Sequence, residues 1–171
     1  MFFKAIAAEF GDSRLGVALG LTITQTVGAL AAPMIGRALD RYPIRRVIGA
    51  GAISMSLGFL ALSQVETQLQ FYLVLGAFIG FGAGAMGGLA TAKLVTNWFD
   101  ARRGFALGIA ATGISLSGVV MPAVTATIIE SFGWRAAFLL YGAFTTLVVV
   151  PVVVRWVVTR PEDMGLAPDG A

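Results

Sequence analysis

Long apolar runs separated by short charged segments dominate the pattern of this sequence. A bilayer's hydrocarbon core is about 30 Å thick and takes about 20 helical residues to cross. Five runs have about that length, and they cover residues 15–36, 47–65, 71–92, 105–129 and 136–154. Each run is too long and too uniformly apolar for an alternating barrel strand. The pattern therefore predicts an all-α integral membrane protein with five transmembrane helices, which form a membrane bundle over residues 1–159.

The Lys and Arg residues between the runs predict how the chain is oriented. If the loop after the first run is cytoplasmic, nine of the twelve basic residues lie on that side and three on the other. The nine are Arg37, Arg41, Arg45, Arg46, Lys93, Arg102, Arg103, Arg155 and Arg160, and the three are Lys4, Arg14 and Arg135. Because cytoplasmic loops carry an excess of Lys and Arg, we expect a multi-pass cell-membrane protein with a cytoplasmic C-terminus.

The first ten residues, MFFKAIAAEF, are apolar but only about half as long as a membrane crossing requires. They have no signal-peptide cleavage region after them. The predicted orientation puts the N-terminus outside, which is hard to achieve without a preceding helix. We therefore expect that a sixth helix precedes Met1 and that the chain is a truncated six-helix bundle.

Composition supports a membrane protein and argues against most enzymes. The sequence is 57% hydrophobic and 12% charged, with a mean hydropathy of +0.85, whereas a soluble domain has roughly a quarter charged residues. It contains no Cys and no His, and so offers no thiolate or imidazole for a zinc site, a nucleophile or a general base. We expect no enzymatic activity, no metal, no cofactor and no nucleic-acid partner.

Small residues spaced four apart in the third run predict close helix packing, because such residues allow the backbones of membrane helices to approach. The series consists of Gly76, Gly80, Gly84 and Gly88. The same run contains the pattern G-x-G-x-x-G at Gly82, Gly84 and Gly87. A dinucleotide site would need a strand before these glycines and a helix beginning at them. Here they lie inside an apolar helical run, so the sequence predicts packing and not nucleotide binding.

Polar side chains inside the runs are the candidates for a substrate cavity, because each needs a partner or water in the membrane. For Ser and Thr, a bond to a carbonyl of the same helix is the commoner explanation. The amide of Gln25 has two donors and an acceptor that one helix cannot satisfy, so a cavity or a neighbouring helix is an equal alternative. We take Gln25, Thr112 and Ser115 as the predicted cavity residues.

The segment GRALDRYPIRR, residues 36–46, concentrates charge in this apolar sequence. Its arginines orient the chain, but a single acid among them, Asp40, adds nothing to that signal. A carboxylate can accept charge-assisted hydrogen bonds from a helix N-terminus or an arginine. Asp40 is therefore predicted to have a structural role, whereas Arg45 and Arg46 could equally serve only as topology markers that bind lipid phosphates.

This segment resembles the signature loop between helices 2 and 3 of the major facilitator superfamily, which has a glycine, an aspartate four residues on, an arginine and a basic pair. Three further stretches follow in the family's order. NWFDARRGFALGIAATG (97–113) resembles the loop into helix 5, FGWRAAF (132–138) the turn into helix 6, and RPEDMGLAPDG (160–170) the start of a central cytoplasmic linker over 160–171. Together they are most similar to the monocarboxylate and oxalate/formate branch.

The resemblance implies that the five runs are family helices 2 to 6, with helix 1 and the C-terminal half missing. One position departs from the family pattern, since Pro43 stands where a glycine is usual. Proline fixes its own φ and restricts the preceding residue. The turn is therefore predicted to be stiffer than in the family.

The resemblance also implies a function: part of a secondary active transporter that moves a small organic anion, such as a monocarboxylate, by alternating access. It implies a conformational latch that holds the two halves together on the cytoplasmic face. The latch residues are predicted to be Gly36, Asp40, Arg41, Arg45 and Arg46, with Arg102 and Arg103 as partners of Asp40. Expected partners are the lipid bilayer, the substrate and the C-terminal bundle. Two alternatives are an inactive or scaffolding membrane fragment and a transporter of a different small solute.

Overall fold

The computed structural model describes residues 14–168, with the backbone alone at positions 14, 15, 17 and 18. The N-terminal stretch 1–10 and the last residues of the predicted linker, 169–171, lie outside the described residues. Within 14–168 the chain forms helices and turns and no β-strand. The α-helices are α1 (Arg14–Arg41), α2 (Ile44–Leu62), α3 (Gln68–Val74), α4 (Phe81–Met86), α5 (Gly88–Trp98), α6 (Arg103–Phe144) and α7 (Val150–Trp156). The all-α membrane architecture predicted from the sequence is confirmed.

Four stretches of this part of the chain are long and apolar enough to cross a membrane: Leu19–Arg41, Ile44–Leu62, Gln68–Trp98 and Arg103–Trp156. The last contains 54 residues, and a straight helix of that length would measure about 80 Å. Both of the last two predicted runs, 105–129 and 136–154, lie within this stretch, which has a break inside it. Five separate spans remain a prediction.

That break lies at Gly133, where φ is 81° and ψ is 167°. This region of backbone conformation is open essentially to glycine alone. A hydrogen bond between the hydroxyl groups of Thr125 and Tyr141, which are 16 positions apart, shows that the chain reverses there. In an unbroken helix these residues would lie about 24 Å apart. Trp134, directly after the break, is buried and packs edge-on against Phe138.

The stretch from α3 to α5 packs between α1 and α2, which have few contacts of their own beyond the turn that joins them. Glycines make the close approach possible. A Cβ atom added to Gly80 would lie 2.9 Å from the carbonyl oxygen of Thr24 in α1, and one added to Gly82 would lie 2.9 Å from that of Gly51 in α2. Small residues on two faces thus let one helix contact two neighbours at backbone distance.

The four glycines of the predicted series differ in how closely a neighbouring helix approaches them. Added Cβ atoms at Gly76 and Gly84 would lie 3.0 Å from side-chain atoms of Ile23 and Ile35 in α1, whereas Gly88 has nothing within 4 Å. Gly76, Gly80 and Gly84 therefore face α1 closely, and Gly88 does not take part. Gly82 is part of the G-x-G-x-x-G pattern, for which the sequence predicts packing and not nucleotide binding. In the structure it packs against α2.

Two hydroxyl groups of α2 connect it to the neighbouring helices at their irregular turns. The chain forms π-helical turns at Leu75–Gly80 and Thr145–Val149. Ser54 donates to the carbonyl of Phe78 at 2.9 Å, within the first of these turns. Ser56 donates to the carbonyl of Gly142 at 3.3 Å and bonds the hydroxyl of Thr146, in the second turn. Such wider turns are frequent where a helix adjusts at a functional position.

The buried side chains form two clusters. Leu62, Val65, Phe71, Trp134 and Phe138 make one of them. The other contains Ile35, Leu39, Ile44, Val47, Ala85 and Ala90 and lies under the charged turn between α1 and α2. This second cluster fixes the position of that turn.

Candidate functional site

Two residues, Tyr42 and Pro43, connect α1 to α2. The Tyr42 N–H donates to the carbonyl of Ala38 at 2.8 Å, and the Arg46 N–H donates to the carbonyl of Pro43 at 2.9 Å. Pro43 has φ −54° and ψ 132°, directly before the first helical residue of α2. Proline is tolerated there because it has no N–H to leave unpaired. The turn is tight, and the buried side chains of Leu39 and Ile44 anchor both of its ends in the core.

Asp40, one residue before the end of α1, forms an ion pair with Lys93 of α5. The pair lies at the surface: the side chain of Asp40 is 72% exposed and that of Lys93 is 34% exposed. Exposed ion pairs contribute about 0–1 kcal/mol because water screens them. The contact therefore joins two helices without holding them strongly.

The segment after α7 packs against the end of α5. The side-chain amide of Asn97 donates to the carbonyl of Thr159 at 2.9 Å, and the indole N–H of Trp98 donates to the carbonyl of Val158 at 3.0 Å. Pro161 is almost fully buried. A carboxylate oxygen of Asp163 accepts a hydrogen bond from the backbone N–H of Arg160 at 3.2 Å and closes the turn.

These three parts of the chain surround one polar cavity, which we call the charged cavity. Its volume is about 270 Å³. Its lining includes three cations, two carboxylates and an amide, from Arg41, Lys93, Arg160, Asp40, Asp163 and Asn97. Among residues 14–168, no group of three or more acidic side chains could hold a metal ion. The cavity instead brings charges of both signs together where α1, α5 and the segment after α7 meet.

The structure brings some of the predicted latch residues together and separates others. Asp40 and Arg41 line the charged cavity. The ion-pair partner of Asp40 is Lys93. Arg103, which was predicted to be a partner of Asp40, instead pairs with Asp100 at 3.2 Å. Arg103 also donates to the carbonyl of Phe99, in the same loop.

The remaining latch residues lie in α1, at the start of α2 and before α6. Arg102 is exposed directly before α6. Gly36 has nothing within 4 Å of an added Cβ, so no neighbour approaches it here. Arg45 and Arg46 are exposed at the start of α2, and within the described residues neither side chain has a hydrogen-bond or ion-pair partner.

The three predicted cavity residues lie on exposed faces of two helices. Gln25 is exposed on α1. Thr112 and Ser115 are exposed on α6, and their hydroxyls donate to carbonyls of the same helix, those of Ile109 at 2.6 Å and Ala111 at 3.5 Å. This is the local bonding that commonly satisfies Ser and Thr in membrane helices.

Sequence reasoning missed Lys93, Asn97 and Trp98 as site residues. Lys93 was counted only as a marker of orientation. A signal was available, because Lys93 stands alone in an otherwise uncharged helix, Gly88–Trp98. A single charge at such a position needs a partner, and the acid of the preceding charged turn is the natural one.

Comparison with known proteins agrees with this architecture. The sequence profile of the Major Facilitator Superfamily matches residues 1–170. Monocarboxylate transporter 11 of Homo sapiens is 36% identical over 144 residues, which are 84% of this chain and 30% of that protein. Monocarboxylate transporter 4 of Rattus norvegicus is 26% identical over 171 residues, 99% of this chain and 36% of that protein.

A relative with a different named role is similar over a shorter range. The fujikurins efflux protein of Gibberella fujikuroi is 36% identical over 115 residues, 64% of this chain and 24% of that protein. The chain therefore spans 24% to 36% of the length of these curated relatives.

Proposed function

The chain belongs to the major facilitator superfamily, and we propose that it is part of a secondary active transporter that moves a small organic anion, such as a monocarboxylate, by alternating access. Membership and the long apolar helices make it a multi-pass membrane protein of a transporter family. The substrate, the C-terminal bundle as partner and a cytoplasmic C-terminus belong to the proposal. The relatives named as monocarboxylate transporters support this substrate class.

The ion pair between Asp40 and Lys93 carries the mechanistic part of the proposal. A transporter that alternates between two states needs contacts that form in one state and break in the other. A strong buried pair would resist that exchange. An exposed pair worth about 0–1 kcal/mol can open and close in each cycle. Asp40 and Lys93 thus act as a weak, reversible part of the latch.

The charged cavity extends the same proposal. Arg41 and Arg160 lie in the cavity with the Asp40–Lys93 pair, and neither guanidinium has an ion-pair partner among the described residues. Either could replace Lys93 as the partner of Asp40 when the helices shift, because a guanidinium binds a carboxylate with two parallel hydrogen bonds. The latch would then exchange partners and would not simply break.

An uptake panel on the full-length protein tests the substrate class. Reconstituted vesicles would be supplied with a radiolabelled monocarboxylate, in competition with unlabelled monocarboxylates, dicarboxylates and neutral analogues of matched size. Competition by monocarboxylates alone is the expected result. If none of the unlabelled carboxylates reduced the uptake of the labelled compound, the result would contradict the proposed substrate class.

A transporter of another small solute is the second candidate. The similarity to a fujikurins efflux protein favours it. So does the absence of Lys and Arg from the interior of the predicted runs, since recognition of a carboxylate favours a basic partner. The same panel separates the two candidates, because a transporter of another solute would give no uptake of the labelled monocarboxylate above that of protein-free vesicles.

Gln25, Thr112 and Ser115 remain the residues proposed to face the substrate. They are exposed on α1 and α6, the two helices that would border a path between two bundles. Replacing Gln25 with Leu should raise the KM for the substrate more than it lowers the maximal rate, because the amide would contribute binding in both states.

A further inference from the structure

A second cavity lies between α1 and α2 and shares Tyr42 with the charged cavity. We call it the apolar groove, and its volume is about 410 Å³. Its lining includes Met34 and Ala38 of α1, Tyr42 of the turn, Arg46 and Ala50 of α2, and Phe81 of α4. The volume is within the range of about 300–1,000 Å³ that small-molecule sites occupy.

The groove follows the helix axes. Along α1 and the first residue after it, the lining residues Met34, Ala38 and Tyr42 recur every four positions, which places them on one face over about 12 Å. On α2 the same spacing joins Arg46 to Ala50. Its long dimension therefore runs from the charged turn into the apolar part of the bundle.

The two ends of the groove differ in chemistry. Met34, Ala50 and Phe81 are uncharged and line the inner end, whereas Arg46 is the cation at the outer end. Within the described residues the guanidinium of Arg46 has no ion-pair or hydrogen-bond partner. Tyr42, which is 57% exposed, lies at the same outer end, where aromatic residues commonly meet lipid headgroups.

We propose that the apolar groove is a binding site for an anionic phospholipid, with the phosphate on Arg46 and one acyl chain along α1 and α2 as far as Phe81. The occupant must be apolar along one dimension and anionic at one end, and a lipid of an acidic bilayer has that form. Arg46 supplies charge-assisted hydrogen bonds to the phosphate, and the apolar walls cover the chain. The site is independent of which solute the protein transports.

The neighbouring Arg45 provides the comparison that makes this proposal specific. Arg45 and Arg46 have the same charge and are both exposed at the start of α2, but only Arg46 lines the groove. General attraction to an acidic membrane surface is worth about 1 kcal/mol for each basic residue, so both arginines would contribute equally to lipid binding. A specific site in the groove would depend on Arg46 more than on Arg45.

The test uses the full-length protein with Tyr42→Trp, reconstituted in vesicles that contain brominated lipid. The signal is the difference in fluorescence quenching between this variant and the parent, which isolates the indole at position 42, at the outer end of the groove. Brominated phosphatidylglycerol should quench more than equimolar brominated phosphatidylcholine, with a binding preference of about fivefold. Adding Arg46→Gln should bring the preference close to one, and adding Arg45→Gln should leave most of it in place.

A second pair of variants tests the groove without changing charge. Ala50→Phe should fill the groove and abolish the preference, while Leu57→Phe, on an exposed part of α2 outside the groove, should preserve it. Equal losses with Arg45→Gln and Arg46→Gln would overturn the proposal in favour of general surface attraction. Quenching by neither lipid would also overturn it, since another protein segment would then cover the groove.

Discussion

The carboxylate of Asp40 and the ammonium group of Lys93 form an ion pair between α1 and α5, although 53 positions separate them in the sequence. Asp40 is the only acid in the charged turn, and Lys93 is the only charged residue of α5. The pair stands beside a cavity that the segment after α7 also lines. The pair therefore connects the end of α1 to α5, beside the segment that follows the last helix.

Gly80→Ala should destabilise the protein, because the added Cβ would lie 2.9 Å from the Thr24 carbonyl oxygen. Overpacking of this kind costs about 1–3 kcal/mol. Gly88→Ala is the matched control, since nothing lies within 4 Å of its added Cβ. Thermal unfolding in detergent should show a lower midpoint for Gly80→Ala alone. Equal midpoints for the two variants would contradict the close contact of the turn Leu75–Gly80 with α1.

Gly133→Ala should destabilise the reversal inside the long helical stretch. With φ 81° and ψ 167°, a non-glycine residue there costs about 1–3 kcal/mol. Gly113→Ala, in the same helix with nothing within 4 Å of its added Cβ, is the control. We expect a lower unfolding midpoint and faster proteolysis near residue 133 in the first variant only. A midpoint unchanged by Gly133→Ala would show that the chain does not turn there in this conformation.

Trp98→Phe should loosen the segment that follows α7. The variant keeps an aromatic ring but loses the indole N–H that donates to the Val158 carbonyl at 3.0 Å, a bond worth about 1 kcal/mol. Hydrogen exchange over residues 157–164 should become faster by about fivefold, the factor that corresponds to that free energy. Trp156→Phe is the control, because Trp156 is 72% exposed. Equal exchange in both variants would mean that the indole does not hold the segment.

Much of the fold was predictable because membrane crossing imposes long apolar helices on the sequence. The charged turn and the packing of Gly76, Gly80 and Gly84 also follow from local patterns. The reversal at Gly133, which lies between two of the predicted runs, depends on the non-helical φ and ψ of that one residue, and no local pattern specified them.

The candidate site was predicted only in part. Asp40 could be singled out because an acid among arginines contradicts a pure orientation signal. The single charge of α5 pointed to Lys93 as a candidate partner, but a choice among Lys93, Arg102 and Arg103 also required knowing how α5 packs beside α1. The hydrogen bonds from Asn97 and Trp98 to the backbone carbonyls of Thr159 and Val158 could not be predicted either. Every residue has a backbone carbonyl, so the sequence does not indicate which one accepts.

Uptake by charge variants of Asp40 and Lys93 tests the proposed latch most directly. In the full-length protein, with membrane insertion verified for each variant, Asp40→Asn and Lys93→Gln should each lower substrate uptake by about two- to fivefold, the range that a surface ion pair supports. The exchanged pair, Asp40→Lys with Lys93→Asp, restores opposite charges and should recover most of the uptake. Unchanged uptake in both single variants, or no recovery in the exchanged pair, would contradict the account.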